Sequence, residues 1–175
     1  MRFFASHLLS LSLVALASLA GCVGNPPPSS APSGSGRASD ASRRFPLDSL
    51  ATGQILHEGK PIRVWLARSP QEQSEGLMFV PTDEIADDQG MLFIFPMEQQ
   101  LGFWMLNTIA PLDIAYTRLD GTIVSTYQMP PRTLQTFPSI EPAIFALEMK
   151  QGAFARLGIE PGDRLEIPQS LLRAP

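Results

Sequence analysis

The sequence predicts a mainly β fold: a single antiparallel β-sandwich or partly closed barrel with two short helices. Seventeen prolines and 13 glycines punctuate short apolar runs along the 175-residue chain, which is typical of strands joined by turns. Residues 62–67 alternate between two faces with the period of a strand that has one face buried. Asp120-Gly121 lies between two further apolar runs and is a strong signal for a tight hairpin.

The first half of the domain contains one helix signal and two further strand signals. Ser69-Pro70-Gln71-Glu72 is a capping box with proline at the first helical position, and Gly76 is a natural end for that helix. Met91 to Phe95 is a continuous apolar run, which predicts a strand buried on both faces and ended by Pro96. Another strand is expected over residues 103–105.

A strand followed by a hairpin is expected after Pro111, where residues 112–117 alternate. If the Asp120-Gly121 loop has two residues, Leu119 pairs with Thr122, and counting back places Asp113 opposite Gln128. A three-residue loop would break that register.

The last third predicts a strand, a helix and a final strand. In the strand Ala143–Met149, Glu148 lies on the same face as Ile144. Residues 152–158 have helical spacing and end at Gly158, which suits a left-handed cap. A Pro-Gly turn then leads to a short strand over residues 165–167.

The N-terminus predicts export and a lipid anchor. Arg2 precedes an apolar run that ends in Leu19-Ala20-Gly21-Cys22, and this resembles the bacterial lipobox. The resemblance implies cleavage after residue 21 and lipidation of Cys22, the only cysteine, with acyl chains such as palmitate as the anchor. Val23 rather than Asp follows the cysteine, which resembles lipoproteins of the periplasmic face of the outer membrane. An ordinary secretory signal with a chance cysteine is the alternative.

Three segments follow from this interpretation: a signal peptide (1–21), a lipidated cysteine with a flexible tether (22–44), and a β-rich domain (45–175). Residues 23–42 are mostly Pro, Ser, Gly and Ala, which cannot bury enough apolar surface to offset the entropy of ordering. Loss of residues 1–21 removes Arg2 and leaves 12 basic and 17 acidic side chains, a charge of −5, so no nucleic-acid partner is expected.

Histidine and cysteine usage limits the possible chemistry. After cleavage, His57 is the only imidazole and Cys22 the only thiol. One protomer therefore forms no disulfide and no Cys/His zinc site, and a Ser-His-Asp triad would have to use His57.

Polar residues within an apolar stretch define the candidate site. They are Trp104, Asn107, Thr108 and Asp113, together with Glu148 from the later strand. In one interpretation Asn107 and Thr108 form a turn through local side-chain-to-backbone hydrogen bonds, and the two carboxylates are acceptors for backbone N–H groups or arginines. In a second, Trp104 and the polar groups bind a glycan, a peptide or an envelope protein without turnover. In a third, Asp113 and Glu148 face one cleft as the acid and base of a glycan hydrolase.

Two metal hypotheses are weaker than their alternatives. Acidic residues at 83, 84, 87 and 88 suggest calcium, but the spacing is not that of an EF-hand, and a charged loop is usually a solvated surface. Scattered methionines suggest copper(I), but they lack a tight Met-x-x-Met cluster, so core packing is expected instead. We expect no metal and no cofactor.

Five ordered motifs resemble the domain of unknown function no. 192, a family of exported bacterial and archaeal proteins. They are Gly76-Leu77-Met78, Gly90 to Phe95, Phe103 to Thr108, Pro111 to Ile114, and Leu147-Glu148. The resemblance covers about residues 62–167 and implies a compact β-rich fold without an established activity. Leu106 departs from the pattern, because relatives more often carry Lys or Arg there. The sequence thus favours an envelope lipoprotein with a non-catalytic binding domain, and a carboxylate hydrolase of envelope glycans is the alternative.

Overall fold

The computed structural model describes residues 43–172, which contain nine strands and two short α-helices. The strands are β1 (Thr52–His57), β2 (Lys60–Ala67), β3 (Gln89–Gln99), β4 (Gly102–Phe103), β5 (Leu112–Thr117), β6 (Ile123–Met129), β7 (Phe137–Pro138), β8 (Ala143–Lys150) and β9 (Leu165–Glu166). The helices are α1 (Pro70–Glu75) and α2 (Ala153–Leu157), with 3-10 turns at Leu47–Ser49, Thr82–Glu84 and Gln169–Leu172. The predicted signal peptide, Cys22 and residues 23–42 of the tether lie outside the described residues.

Seven of these strands form one curled sheet in the order β6-β5-β8-β3-β2-β1-β9. Its two edges meet where Thr122 and Arg164 form an isolated antiparallel β-bridge. There the Leu165 amide donates to the Gly121 carbonyl at 2.9 Å. The sheet is therefore a partly closed barrel, which confirms the predicted fold class. One pair, β2 with β3, is parallel, because α1 and the loop after it form a crossover long enough to return the chain in the same direction.

Each face of the sheet carries its own apolar cluster. Trp65, Phe93 and Tyr116 belong to the first cluster, while Val64 and Leu147 belong to the second. The second half of β2 is consequently buried on both faces, not on one as its alternation suggested. Successive residues of one strand pack into different clusters, so the apolar surface buried on both faces of the sheet contributes to hydrophobic stabilisation.

Helix α1 forms as its sequence predicts. The Ser69 hydroxyl accepts from the Glu72 amide, and the Glu72 carboxylate accepts from the Ser69 amide, so both halves of the capping box are present. The helix ends at Gly76, whose φ of +49° is readily adopted only without a Cβ.

Two expected strand limits are wrong. β3 does not stop at Pro96 but continues to Gln99, because its ladder with β8 is interrupted between Ile94 and Gln99 and needs no N–H from the proline. Only Gly102–Phe103 forms β4, so the strand expected over residues 103–105 is truncated. After Phe103 the chain turns away, and the Met105 amide donates to the Thr133 carbonyl at 3.0 Å.

The hairpin reaches its expected register by another route. Its loop has three residues, since the Arg118 amide bonds the Thr122 carbonyl and Thr117 pairs with Ile123. A register shift next to Thr117 compensates for the extra loop residue. Asp113 therefore still pairs with Gln128, although the two-residue turn that predicted this pair is absent.

Among residues 43–172, no helix is both long enough and apolar enough to span a bilayer.

Candidate functional site

Asp113 and Glu148 point to opposite faces of the sheet. β5 and β8 are antiparallel neighbours in which Ile114 pairs with Glu148 and Asp113 pairs with Met149. Paired residues share a face and successive residues alternate, so the two carboxyl groups cannot share the cleft that the hydrolase hypothesis requires.

Asp113 fastens α2 to the sheet. Its side chain is buried, and Oδ2 accepts a hydrogen bond from the Phe154 amide at 3.1 Å. Burial raises the pKa of Asp113, and the backbone amides at the start of α2 partly oppose that shift. The geometry matches the structural interpretation of this carboxylate, as an acceptor for backbone N–H groups.

Glu148 has a different environment. It is 4% exposed, and within residues 43–172 its carboxyl group makes no hydrogen bond and no ion pair. Burial raises the pKa of Glu148 to about 8, so the carboxyl group is largely protonated at neutral pH. A buried acid without a partner is a common feature of functional sites.

Glu148 lines a pocket of about 260 Å³, which we call the Glu148 pocket. Its walls come from α1, the turn after it, β3, β4, the loop that follows β4, and β8. The lining residues are Pro70, Gln73, Ser74, Glu75, Gly76, Leu77, Met78, Phe93, Phe95, Gly102, Phe103, Trp104, Thr108 and Glu148.

Aromatic rings form much of this wall and hold one another in place. The Phe103 ring packs edge-on against Phe93 at 4.7 Å and against Phe95 at 6.4 Å between centroids. It also contacts Tyr116 at 5.8 Å. Edge-to-face packing of this kind restricts each ring, so the pocket is pre-formed.

Trp104 stands at the mouth of the pocket with 51% of its surface exposed. It also lines a shallow depression next to the pocket, and Asn107 lies in that depression rather than in the pocket itself. Thr108 is buried against the pocket. The structure thus brings Trp104, Thr108 and Glu148 together, places Asn107 beside them, and separates Asp113 from all four.

The loop that carries Trp104 is tightly braced. The Thr108 amide donates to the Met105 carbonyl at 3.0 Å, so a backbone hydrogen bond closes a turn here, and the Thr108 hydroxyl lies 3.5 Å from the Leu106 carbonyl. Asn107 has a φ of +58°, and its carbonyl accepts from the amide of Phe79, whose φ is +63°. A bulky residue at positive φ is strained, so the surrounding contacts must impose this conformation at the rim.

The rim also receives the start of the domain, which sequence analysis did not foresee. The Arg43 guanidinium is buried and donates to the carbonyls of Met78 at 2.6 Å and Gly76 at 2.9 Å. Glu75 accepts from the backbone amides of residues 44 and 45 at 2.6 and 2.8 Å. Arg43 and Arg44, assigned to the tether from sequence, are therefore held against the pocket.

Sequence reasoning missed the phenylalanines of the pocket for a clear reason. Phe93 and Phe95 belong to a continuous apolar run, and such a run predicts core packing rather than a site. Their spacing of two residues puts them on one face, but the sequence does not show that this face borders an open pocket rather than the apolar core.

The acidic loop considered as a calcium site does not form an open binding site. Asp87 pairs with Lys150 and Arg156, and Asp88 pairs with Arg63, so these loop carboxylates bind side chains. No group of three or more His, Cys, Asp or Glu within the described part of the chain is arranged to hold a metal ion.

His57 is buried beside β9 and lines a larger opening of about 860 Å³. Its Nε2 lies 3.3 Å from the Gly158 carbonyl and 3.9 Å from the Asp163 carboxylate. The lining of that opening mixes acidic residues with Arg164, so it selects no single class of ligand.

Comparison with known proteins identifies relatives of this domain. The family model for DUF192, described as an uncharacterized ACR, matches residues 53–167. A crystal structure from Sinorhizobium meliloti 1021, described as a putative transcription regulator, is 35% identical with a TM-score of 0.63; the match covers 67% of this chain and 94% of that one. A protein of unknown function from Novosphingobium aromaticivorans DSM 12444 is also 35% identical with a TM-score of 0.65, covering 70% and 89%.

The comparison with curated proteins returned no significant match. The family match spans β1 to the end of the barrel and includes every strand that lines the Glu148 pocket. On this basis the chain belongs to the DUF192 family.

Proposed function

We propose that this protein is a bacterial envelope lipoprotein whose β domain binds a small ligand group in the Glu148 pocket without chemical turnover. The observation that carries the proposal is a pre-formed aromatic pocket containing a buried carboxyl group that lacks a partner within residues 43–172. Concave, mainly apolar sites with a few polar groups are the usual form of small-molecule sites in proteins.

The arrangement supports binding more than hydrolysis. A glycosidase needs two carboxyl groups that flank the scissile bond, separated by roughly 5–10 Å across one cleft. Asp113 lies on the opposite sheet face, and the other acid of the pocket, Glu75, is held by backbone amides. A single acid beside aromatic walls suits the recognition of one chemical group of a glycan, a peptide or an envelope protein.

Trp104 provides a direct test of binding. Because its ring is half-exposed at the mouth of the pocket, a bound ligand should change its fluorescence, whereas the other tryptophan, Trp65, is buried. We expect a saturable change with at least one cell-wall glycan or peptide fragment, and its loss in Trp104→Phe. No response across such a panel, with calorimetry equally silent, would contradict the binding function.

The envelope location rests on the lipobox-like sequence that ends in Cys22. Several acyl chains on that cysteine would anchor the protein firmly, with the domain tethered on the periplasmic face of the outer membrane. We expect Cys22→Ser to move the protein from the membrane fraction to the soluble fraction of cells. Replacing a neighbouring serine, Ser29→Ala, is the matched control, and membrane association that persists in Cys22→Ser would refute lipidation there.

A further inference from the structure

The Glu148 pocket is lined by acidic and aromatic residues but by no basic residue of the described chain. Within residues 43–172 its only ionisable lining residues are Glu75 and Glu148. Two arginines lie outside it at the rim: the Arg43 guanidinium binds the carbonyls of Gly76 and Met78, and Arg44 lines the adjoining depression. Such a lining disfavours an anionic ligand, because no cation in the pocket would compensate the charge that is removed from water.

The two acids are not equivalent. Glu75 accepts the amides of Arg44 and Phe45, and its Oε2 lies 3.8 Å from the Arg43 guanidinium. Glu148 has no such partner within residues 43–172. A carboxylate only accepts hydrogen bonds, so a ligand that satisfies Glu148 in its ionised form must bring donors into the pocket.

The remaining wall suits an alkyl stem next to a positive charge. Phe93, Phe103 and Trp104 present rings to the pocket, and aromatic faces attract an organic cation. Leu77 and Met78 add aliphatic surface. A sugar would need several polar partners, yet the amide nitrogen of Gln73 is already engaged with the Ile94 carbonyl at 2.7 Å.

We propose that the group bound in this pocket is a primary alkylammonium, such as the end of a lysine-like side chain, with its N–H groups donating to the Glu148 carboxylate. This inference rests on the proposed binding function and names its ligand class. On binding, the carboxyl proton of Glu148 passes to solvent, the ammonium keeps its own protons, and an ion pair forms against the aromatic wall.

Affinity should therefore depend on pH. Glu148 is protonated below about pH 8, so ammonium binding should strengthen by close to tenfold between about pH 6 and about pH 7, by roughly fivefold over the next unit, and should level off above about pH 8. The other ionisable groups nearby are Tyr116 on β5 and Glu75 on α1. Burial raises the pKa of the Tyr116 phenol, which donates to the Phe137 carbonyl, so it does not titrate in this range.

The test compares three probes that share one alkyl chain: n-pentylammonium, n-pentanol and n-pentanoate. Each is titrated into the protein by calorimetry and followed by Trp104 fluorescence. We expect pentylammonium to bind at least about tenfold more tightly than pentanol at pH 8, and pentanoate to bind more weakly than either. Calorimetry in buffers of different ionisation enthalpy should detect close to one proton released per ammonium bound near pH 7.

Two variants assign the effect to Glu148. Glu148→Gln should remove the preference for pentylammonium over pentanol, together with its pH dependence, while pentanol still binds. Glu160→Gln makes the same substitution at an exposed position and should behave like the parent protein.

Two further probes identify the source of the ammonium group. A lysine derivative blocked at both backbone ends should bind like pentylammonium, since its stem spans the apolar wall. Ethanolamine, the lipid headgroup amine, has a shorter stem and should bind at least about tenfold more weakly. Tighter binding of ethanolamine than of the lysine derivative would overturn the lysine-like assignment.

The outcomes separate this inference from the function on which it rests. If pentanol binds as tightly as pentylammonium, and Glu148→Gln changes neither, the pocket binds a neutral group and the cation inference is wrong while the binding function stands. If none of the probes, nor the panel of cell-wall fragments, produces heat or a fluorescence change, both are wrong.

Discussion

Glu148→Gln is expected to stabilise the protein at neutral and alkaline pH and to leave its stability nearly unchanged near pH 4. In the unfolded chain Glu148 ionises around its ordinary pKa of 4.5, whereas burial raises its pKa to about 8 in the folded protein. Between these values the folded state holds one more proton than the unfolded state. Stability therefore falls as pH rises, by about 1.4 kcal/mol per pH unit for this one group, and stops falling above about pH 8.

Glutamine has nearly the same shape but never ionises, so the variant should escape this loss. The measurement is urea unfolding of both proteins across that pH range, with Glu160→Gln as a control that makes the same substitution at an exposed position. The free energy of unfolding of Glu148→Gln should exceed that of the parent by a few kcal/mol at about pH 8. Asp113, whose pKa burial also raises, contributes equally to both proteins and cancels in the difference. Parallel pH profiles of parent and variant would show that Glu148 is not a buried neutral acid.

Gly121→Ala is expected to open the seam of the barrel. Gly121 has a φ of +87°, and a Cβ there would lie 2.0 Å from the Leu165 carbonyl oxygen, far inside contact distance. The variant must break the hydrogen bond from the Leu165 amide to the Gly121 carbonyl or shift the turn that precedes β9. Backbone strain of about 1–2 kcal/mol adds to the lost closure, so we expect a total loss of roughly 3 kcal/mol in the free energy of unfolding.

Gly59→Ala separates strain from steric conflict. Gly59 also has positive φ, at +74°, but no atom lies within 4 Å of the Cβ that alanine would add. The free energy of unfolding of Gly59→Ala should therefore fall only by the strain contribution, about 1–2 kcal/mol. Amide exchange at Ile123 and Leu165 should accelerate in Gly121→Ala alone, since those residues form the seam. Equal losses in the two variants would mean that the edges are not joined as the structure has them.

The features of this protein that depend on residues close together along the chain could be predicted from the sequence. The capping box at Ser69 and Glu72, the helix end at Gly158 and the strand of residues 112–117 all formed, because each depends on hydrogen bonds or alternation within a few residues. The fold class followed from the same local signals, and the resemblance to the DUF192 family followed from their order along the chain.

The turn of the hairpin was not predicted correctly from these local signals. Asp113 pairs with Gln128 as predicted, but a three-residue loop and a compensating register shift replaced the two-residue turn. Pro96 likewise lies within β3 because the partner strand leaves the ladder at that point. A strand limit depends on its neighbour, and the sequence of one strand does not contain that information.

The candidate site could be predicted only in part from the sequence, for the same reason. The stretch from Trp104 to Thr108 stood out because polar groups within apolar sequence need partners, and its residues do lie at or beside the pocket. Arg43, Phe93 and Phe95 gave no local signal of a site.

The relation between Asp113 and Glu148 was decided by tertiary structure alone. Each strand's alternation indicates which of its own residues share a face, but not which face that is relative to a strand far along the chain. The pairing of Ile114 with Glu148 sets this relation, and a shift of one residue would have brought the two acids to the same face. The amino-acid sequence thus determined the strands, the caps and the residue types, while the register of β5 against β8 left Glu148 without Asp113 and facing an aromatic pocket.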